Sequence, residues 1–212
     1  MEDYIMLLPL WYSILLGIAF IIFPILLLVC VRLYPPPKYS IFTRTISGLG
    51  LPEHRSAKIF NPTIIIMGLI LIPFPYYLFP ILPANWLTYI GIVAFFCVPI
   101  GLMLVGIFPE HKETAHMFAA VLSLGASIIA NAFLLYPILL SDLNIVITII
   151  QILVLSISVP LAIAARKQLP SYTPDTPIDR LLYNLNFWEW SQFLALQAWI
   201  VALYINTLII NF

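Results

Sequence analysis

Residues 10–32 read LWYSILLGIAFIIFPILLLVCVR: twenty-two residues without a charge, then an arginine. A helix rises about 1.5 Å per residue and bilayer hydrocarbon is about 30 Å thick, so about 20 apolar residues make one crossing. The stretch therefore reads as a membrane span. Its first positive charge follows the apolar run instead of preceding it, which marks an uncleaved anchor and not a secretory leader.

The rest of the chain repeats the pattern. Of its 212 residues 63% are hydrophobic and 8% charged, where a soluble domain carries about 25% charged residues. Six runs reach spanning length, near 10–31, 62–79, 87–108, 115–136, 143–165 and 188–210. They lack the alternation of barrel strands, so helices are expected, since backbone amides in hydrocarbon need partners within their own segment. The expected fold is an all-α integral membrane protein, one six-helix bundle forming a single domain over 1–212. Pro73 and Pro75 should kink or end the second span, leaving an irregular, aromatic-rich cap toward Pro83.

Threading these spans puts every Lys and Arg on one face, in the first, third and fifth loops. That face carries nine bases against six acids; the other carries only Glu2, Asp3 and Asp142. The charge bias places the basic face in the cytoplasm and both termini outside. Tyr4, Trp11 and Tyr12 on one side, with Tyr34, Tyr172, Tyr183, Trp188 and Trp190 on the other, suit interfacial belts; Trp199 is mid-span packing. Cys30 and Cys97 fall in different spans at unlike depths, so neither a disulfide nor a Cys-x-x-Cys site is expected.

The first loop is long for a connection inside a compact bundle. It opens with Pro35-Pro36-Pro37 and continues through Arg44, Ser47-Gly48-Leu49-Gly50, His54 and Arg55 to Lys58, and it reads as a folded cap in preference to a substrate loop. Asn61-Pro62 has the form of a helix start, with Asn as cap and Pro at the first position. In the third loop Glu113 and His116 are one helical turn apart, half of a carboxylate–imidazole metal motif. His54 and Glu189 are the residues available to complete a mononuclear site, but a lone imidazole at the headgroup level more often bonds a loop, and no metal or other cofactor is expected. The fifth loop carries Thr176-Pro177-Ile178-Asp179, a capping pattern before a short interfacial helix. Arg166, Lys167 and Arg180 beside it, like Arg44, Arg55 and Lys58, are placed to meet lipid phosphates or partner loops.

Inside the membrane, Ala119, Ser123, Ser127 and Asn131 recur every four residues on the fourth span, and Ser191, Ala195, Ala198 and Ala202 mark the sixth. Such small-residue seams let helices approach, and the two spans are candidates to pack on each other or on a partner. Glu189, at the entry of the sixth span, reads first as a favourable charge at a helix N-terminus. No ionisable pair lies at mid-membrane, so a small transporter ranks last.

Tyr39-Ser40, Ile46-Ser47-Gly48-Leu49-Gly50, Phe60-Asn61, Gly68, Gly106-Ile107-Phe108-Pro109-Glu110 and His116 together resemble the domain-of-unknown-function 998 family. That family is similar in plan to the six-span set containing autophagy modulators and a factor for lipid remodelling of GPI anchors. The resemblance implies a six-helix membrane protein with Ser47, Asn61, Glu110 and His116 on one face, and no established reaction. Many members keep the Ser-x-Leu-Gly loop outside and the second loop basic; here the second loop has no base.

Two readings follow. The first is a non-catalytic subunit of a membrane assembly, in contact with lipids and with other membrane proteins but not with nucleic acid. The second is a lipid-headgroup or acyl-chain remodelling enzyme at the basic face, with Ser47 as nucleophile, His116 as base, and Glu113 or Glu110 orienting the imidazole.

Overall fold

A computed structural model of the chain describes residues 8–36, 38–167 and 177–211, without the side chains of 167, 177–179 and 211. Among the described residues every regular element is helical: α1 (Leu10–Leu33), α2 (Ala57–Leu71), α3 (Trp86–Ile107), α4 (Glu113–Ala120), α5 (Ala126–Leu139), α6 (Ile145–Lys167), α7 (Pro177–Leu182) and α8 (Leu185–Asn211). A π-helical turn, Val121–Gly125, joins α4 to α5 as one crossing. Six helical stretches are long and apolar enough to cross a membrane. Prolines at 24, 62, 99, 137 and 160 lie within these helices, which membrane bundles tolerate because neighbours and local turns re-satisfy freed backbone groups.

α3 and α5 pack closely, α2 lies against α3, α6 bridges α5 and α8, and α1 leans on α2. Glycines on the facing helices permit backbone-to-backbone approaches, Gly101 on α3 lying against the Leu122–Ser123 backbone of the π turn. A Cβ on Gly68 would come within 2.7 Å of Met103 N and Pro99 O, and one on Gly106 within 2.8 Å of Asn61 O, so α2 meets α3 backbone to backbone. Trp199 is fully buried and its ring sits 5.1 Å from Phe95 on α3. α1 is the least enclosed span, with 22% of its most apolar window buried against 50% for α3.

Two expectations change. α2 begins at Ala57, so Asn61 and Pro62 lie inside the helix and do not start it. Pro62 removes a hydrogen bond only to the carbonyl of Lys58, an exposed residue at the helix mouth where water can replace it. The fourth span packs on α3 and α6 and the sixth on α6, so the two small-residue helices do not pack closely on each other; Ser123 and Glu189 meet across a cavity. The prolines near the second span act as expected: α2 ends at Leu71 and a 3₁₀ turn, Phe74–Leu78, follows. α7 is the short helix read before the sixth span, while its Thr176 cap, like Tyr4 and Tyr172, lies outside the described residues.

Candidate functional site at the basic face

The first loop folds inward, and residues 46–50 are buried although they form only a 3₁₀ turn, Ser47–Gly50. Irregular backbone at that depth must find partners, since each unpaired buried group costs about 1–3 kcal/mol. Side chains supply them in order. His54 Nδ1 lies 3.2 Å from Gly48 O, Ser56 Oγ donates to Leu49 O at 2.7 Å, and Asn61 Nδ2 donates to Gly50 O at 3.0 Å. On the other side, Gly48 N donates to Thr45 Oγ1 at 3.1 Å, and that hydroxyl donates to Glu110 Oε2 at 2.9 Å. Tyr39 closes the loop by donating to Thr45 O at 2.7 Å while accepting from Trp190 Nε1 at 2.7 Å. Loops one, three and five are thereby tied together, with Asn184 Nδ2 donating to Phe42 O at 2.9 Å as a further strut. A side chain at position 50 would run into Asn61 and approach Phe60 Cδ1 within 2.9 Å, which is why Gly stands there.

Beneath this cap is a cavity of about 50 Å³ lined by Ser47, His116, Ser123 and Glu189 among apolar side chains such as Phe60 and Phe193. His116 is buried, and its Nδ1 pairs with Phe108 O at 2.8 Å. A carbonyl only accepts, so Nδ1 carries the hydrogen and Nε2 keeps a lone pair. Among the described residues the Ser47 hydroxyl makes no hydrogen bond, to His116 or to any other group. The backbone amides of Ile46 and Ser47 act on the Glu189 carboxyl, and so does the Glu110 side chain. Ser123 belongs to the π turn, a feature that often marks functional positions in helices. Burial pushes the Tyr39 phenol above its ordinary range; the Trp190 bond opposes this, and Glu189, Tyr34 and Glu110 add to it.

The structure thus brings Ser47 and His116 to one cavity and adds Glu189, which sequence reasoning left at the helix entrance. The available signal was that Glu189 is the sole acid from residue 185 to the end. Glu113 is exposed and Glu110 binds Thr45, so neither orients the imidazole; the Phe108 carbonyl does. Asn61 holds the loop instead of capping α2. Among the described residues no three His, Cys, Asp or Glu side chains converge as metal ligands, so His54, Glu113, His116 and Glu189 do not make the mononuclear set. Arg44, Arg55, Lys58, Arg166 and Arg180 are exposed around this face, and the Lys167 side chain lies outside the described residues.

Six apolar crossings with a folded loop over one end define an integral, multi-pass membrane protein. Within that class the chain belongs to the family described as protein of unknown function DUF998, which matches residues 14–206. No curated protein and no solved structure matches it.

Proposed function

We propose that this protein remodels membrane lipid at its basic face by acyl-ester chemistry. The observation that carries the reading is one small cavity lined by both Ser47, whose hydroxyl has no hydrogen bond among the described residues, and His116, whose Nδ1 is fixed by Phe108 O. In this reading His116 Nε2 takes the Ser47 proton as Oγ bonds to the ester carbon. The lipid alcohol leaves with that proton, and water or a second alcohol then releases the acyl group. Ser47 and His116 are the catalytic residues; Glu189 is a positioning residue that holds the Ile46–Ser47 backbone. Exposed Arg44, Arg55, Lys58, Arg166 and Arg180 offer contacts for lipid phosphates, each contributing about 1 kcal/mol near an anionic surface. The chain is read as one domain with this face in the cytoplasm, and a cysteine at position 142 should react with an impermeant thiol reagent on intact cells.

The direct test is incubation of purified protein with phospholipid vesicles, reading fatty-acid release or acyl transfer by mass spectrometry. Turnover should be abolished in Ser47→Ala and His116→Gln. Turnover unchanged in Ser47→Ala, or absent from the wild type across anionic and zwitterionic lipids, overturns the reading.

One observation favours a second reading, a non-catalytic subunit bound to other membrane proteins. The outer flank of α1 is broadly exposed and apolar, with Trp11, Ile14, Ile18, Ile21 and Leu28 at least half exposed. Native mass spectrometry of gently extracted protein separates the two: a stoichiometric protein partner supports a subunit, a lipid-bearing monomer the enzyme.

A further inference from the structure

Four fully buried polar side chains on the fourth, fifth and sixth spans each have an atom without a partner among the described residues: Asn131 Oδ1, Gln151 Oε1, Gln192 Nε2 and Trp199 Nε1. The first two are fixed as acceptors. Gln151 Nε2 donates to Asn131 O at 2.7 Å, and Asn131 Nδ2 donates to Ser127 O at 2.9 Å, so turning either amide would set oxygen against oxygen. Gln192 is short of a partner either way round. Ser158 Oγ lies 3.2 Å from its Oε1, but that hydroxyl has one hydrogen and gives it to Val154 O at 2.8 Å. With the amide turned, Nε2 would donate to Ser158 and the oxygen would be left over. Trp199 offers only a donor.

These groups are strung along the bundle. Gln192 stands one helical turn beyond Glu189 on α8, and Trp199 two turns beyond Gln192 on the same face. On the fourth span Ser123 lines the cavity, and Ser127 and Asn131 follow at four-residue steps, all buried, reaching about 12 Å further into the membrane. Orphan donors and orphan acceptors inside one polar seam call for a small ligand that both accepts and donates, and water does both. We propose that spans four, five and six enclose a file of ordered water, beginning at the Glu189–Ser123 cavity and ending at the Asn131–Gln151 pair. Under the acyl-ester reading the file supplies the water that releases the acyl group. That consequence rests on the enzyme assignment; the file itself does not.

The test uses the whole protein in nanodiscs, labelled with ¹⁵N-tryptophan and ¹⁵N-glutamine. The Trp199 indole resonance is assigned by its loss in Trp199→Phe. Should that variant fail to fold, it is the signal that survives Trp11→Phe, Trp86→Phe, Trp188→Phe and Trp190→Phe made singly. Cross-peaks to water at the Trp199 indole and the Gln151 side-chain amide are expected, with indole exchange into D₂O complete within minutes despite burial. Absent water cross-peaks together with indole protection for days would overturn the file. No lipid turnover enters this readout, so failure of the enzyme reading leaves it intact.

Discussion

The two ends of the bundle solve the same problem in different ways. At the basic end a loop enters the protein, and Thr45, His54, Ser56, Asn61 and Glu110 are used to hold its backbone. At the opposite end the connections use local turns and rings, such as the 3₁₀ turn Phe74–Leu78, the Asn85 cap on Thr88 N at 3.0 Å and the tilted pair Tyr12–Tyr77 at 5.6 Å. Both ends also use side chains distant in sequence, Tyr12 donating to Ile70 O and Tyr204 to Ser13 O at 2.7 Å each at the opposite end, but at the basic end several of them converge on one buried loop turn. A chain needing only to turn around has no use for that arrangement, which argues that the cap shapes the cavity below it.

Among changes to the cap the most damaging should be Gly50→Ala. Its methyl meets the Asn61 side chain and the Phe60 ring, both pinned by α2, so overpacking should cost about 2–3 kcal/mol. Thermal unfolding followed by a thiol-reactive dye at buried Cys30 reads this directly. A methyl of equal size tolerated within 0.5 kcal/mol would show that the cap is loose, and the contrast between the ends would collapse. Ser56→Ala ranks next: it leaves Leu49 O buried without its donor and should cost about 1.5–2 kcal/mol. The measurement is the same, and a neutral result would mean that water reaches the loop.

The contrast between the ends also marks what a sequence can announce. Spans are legible because length and apolarity alone determine a crossing, and five of the six helices begin within three residues of their apolar runs. α2 extends five residues earlier because Lys58, Asn61 and Pro62 look like a boundary but sit on helical turns whose polar groups face water or the loop. Ser47 and His116 are visible as residue types that carry chemistry. Their company is not: Ser56 to Leu49 O or Tyr39 to Thr45 O are side-chain-to-backbone bonds, and an acceptor carbonyl has no residue signature. Glu189 is a related case, because its position near a helix entry does not reveal that it lines a cavity under a folded loop.

Alkaline pH should loosen the basic end. The folded state holds the Tyr39 phenol above its ordinary value of 10 through burial. Above pH 10 the unfolded chain loses that proton first, so it binds fewer protons than the folded chain and stability falls as pH rises; below pH 10 the contribution is complete. Tyr39→Phe should cost about 1 kcal/mol at neutral pH, through loss of the bonds to Thr45 O and Trp190, and should flatten the decline above pH 10. An unchanged alkaline slope in that variant would place the titration elsewhere.

The smallest effect is expected at the opposite end. Asn206 Oδ1 accepts from Asn144 N at 3.2 Å in an exposed position, where water replaces whatever the side chain gives up. Asn206→Ala should therefore shift stability by less than about 0.5 kcal/mol in the same unfolding assay. Its value is as the control for Ser56→Ala, since both remove a side-chain partner of a single backbone group and differ chiefly in burial. Equal costs at the two sites would mean that burial of the cap contributes nothing, and the inference from an enclosed loop to a shaped cavity would lose its physical basis.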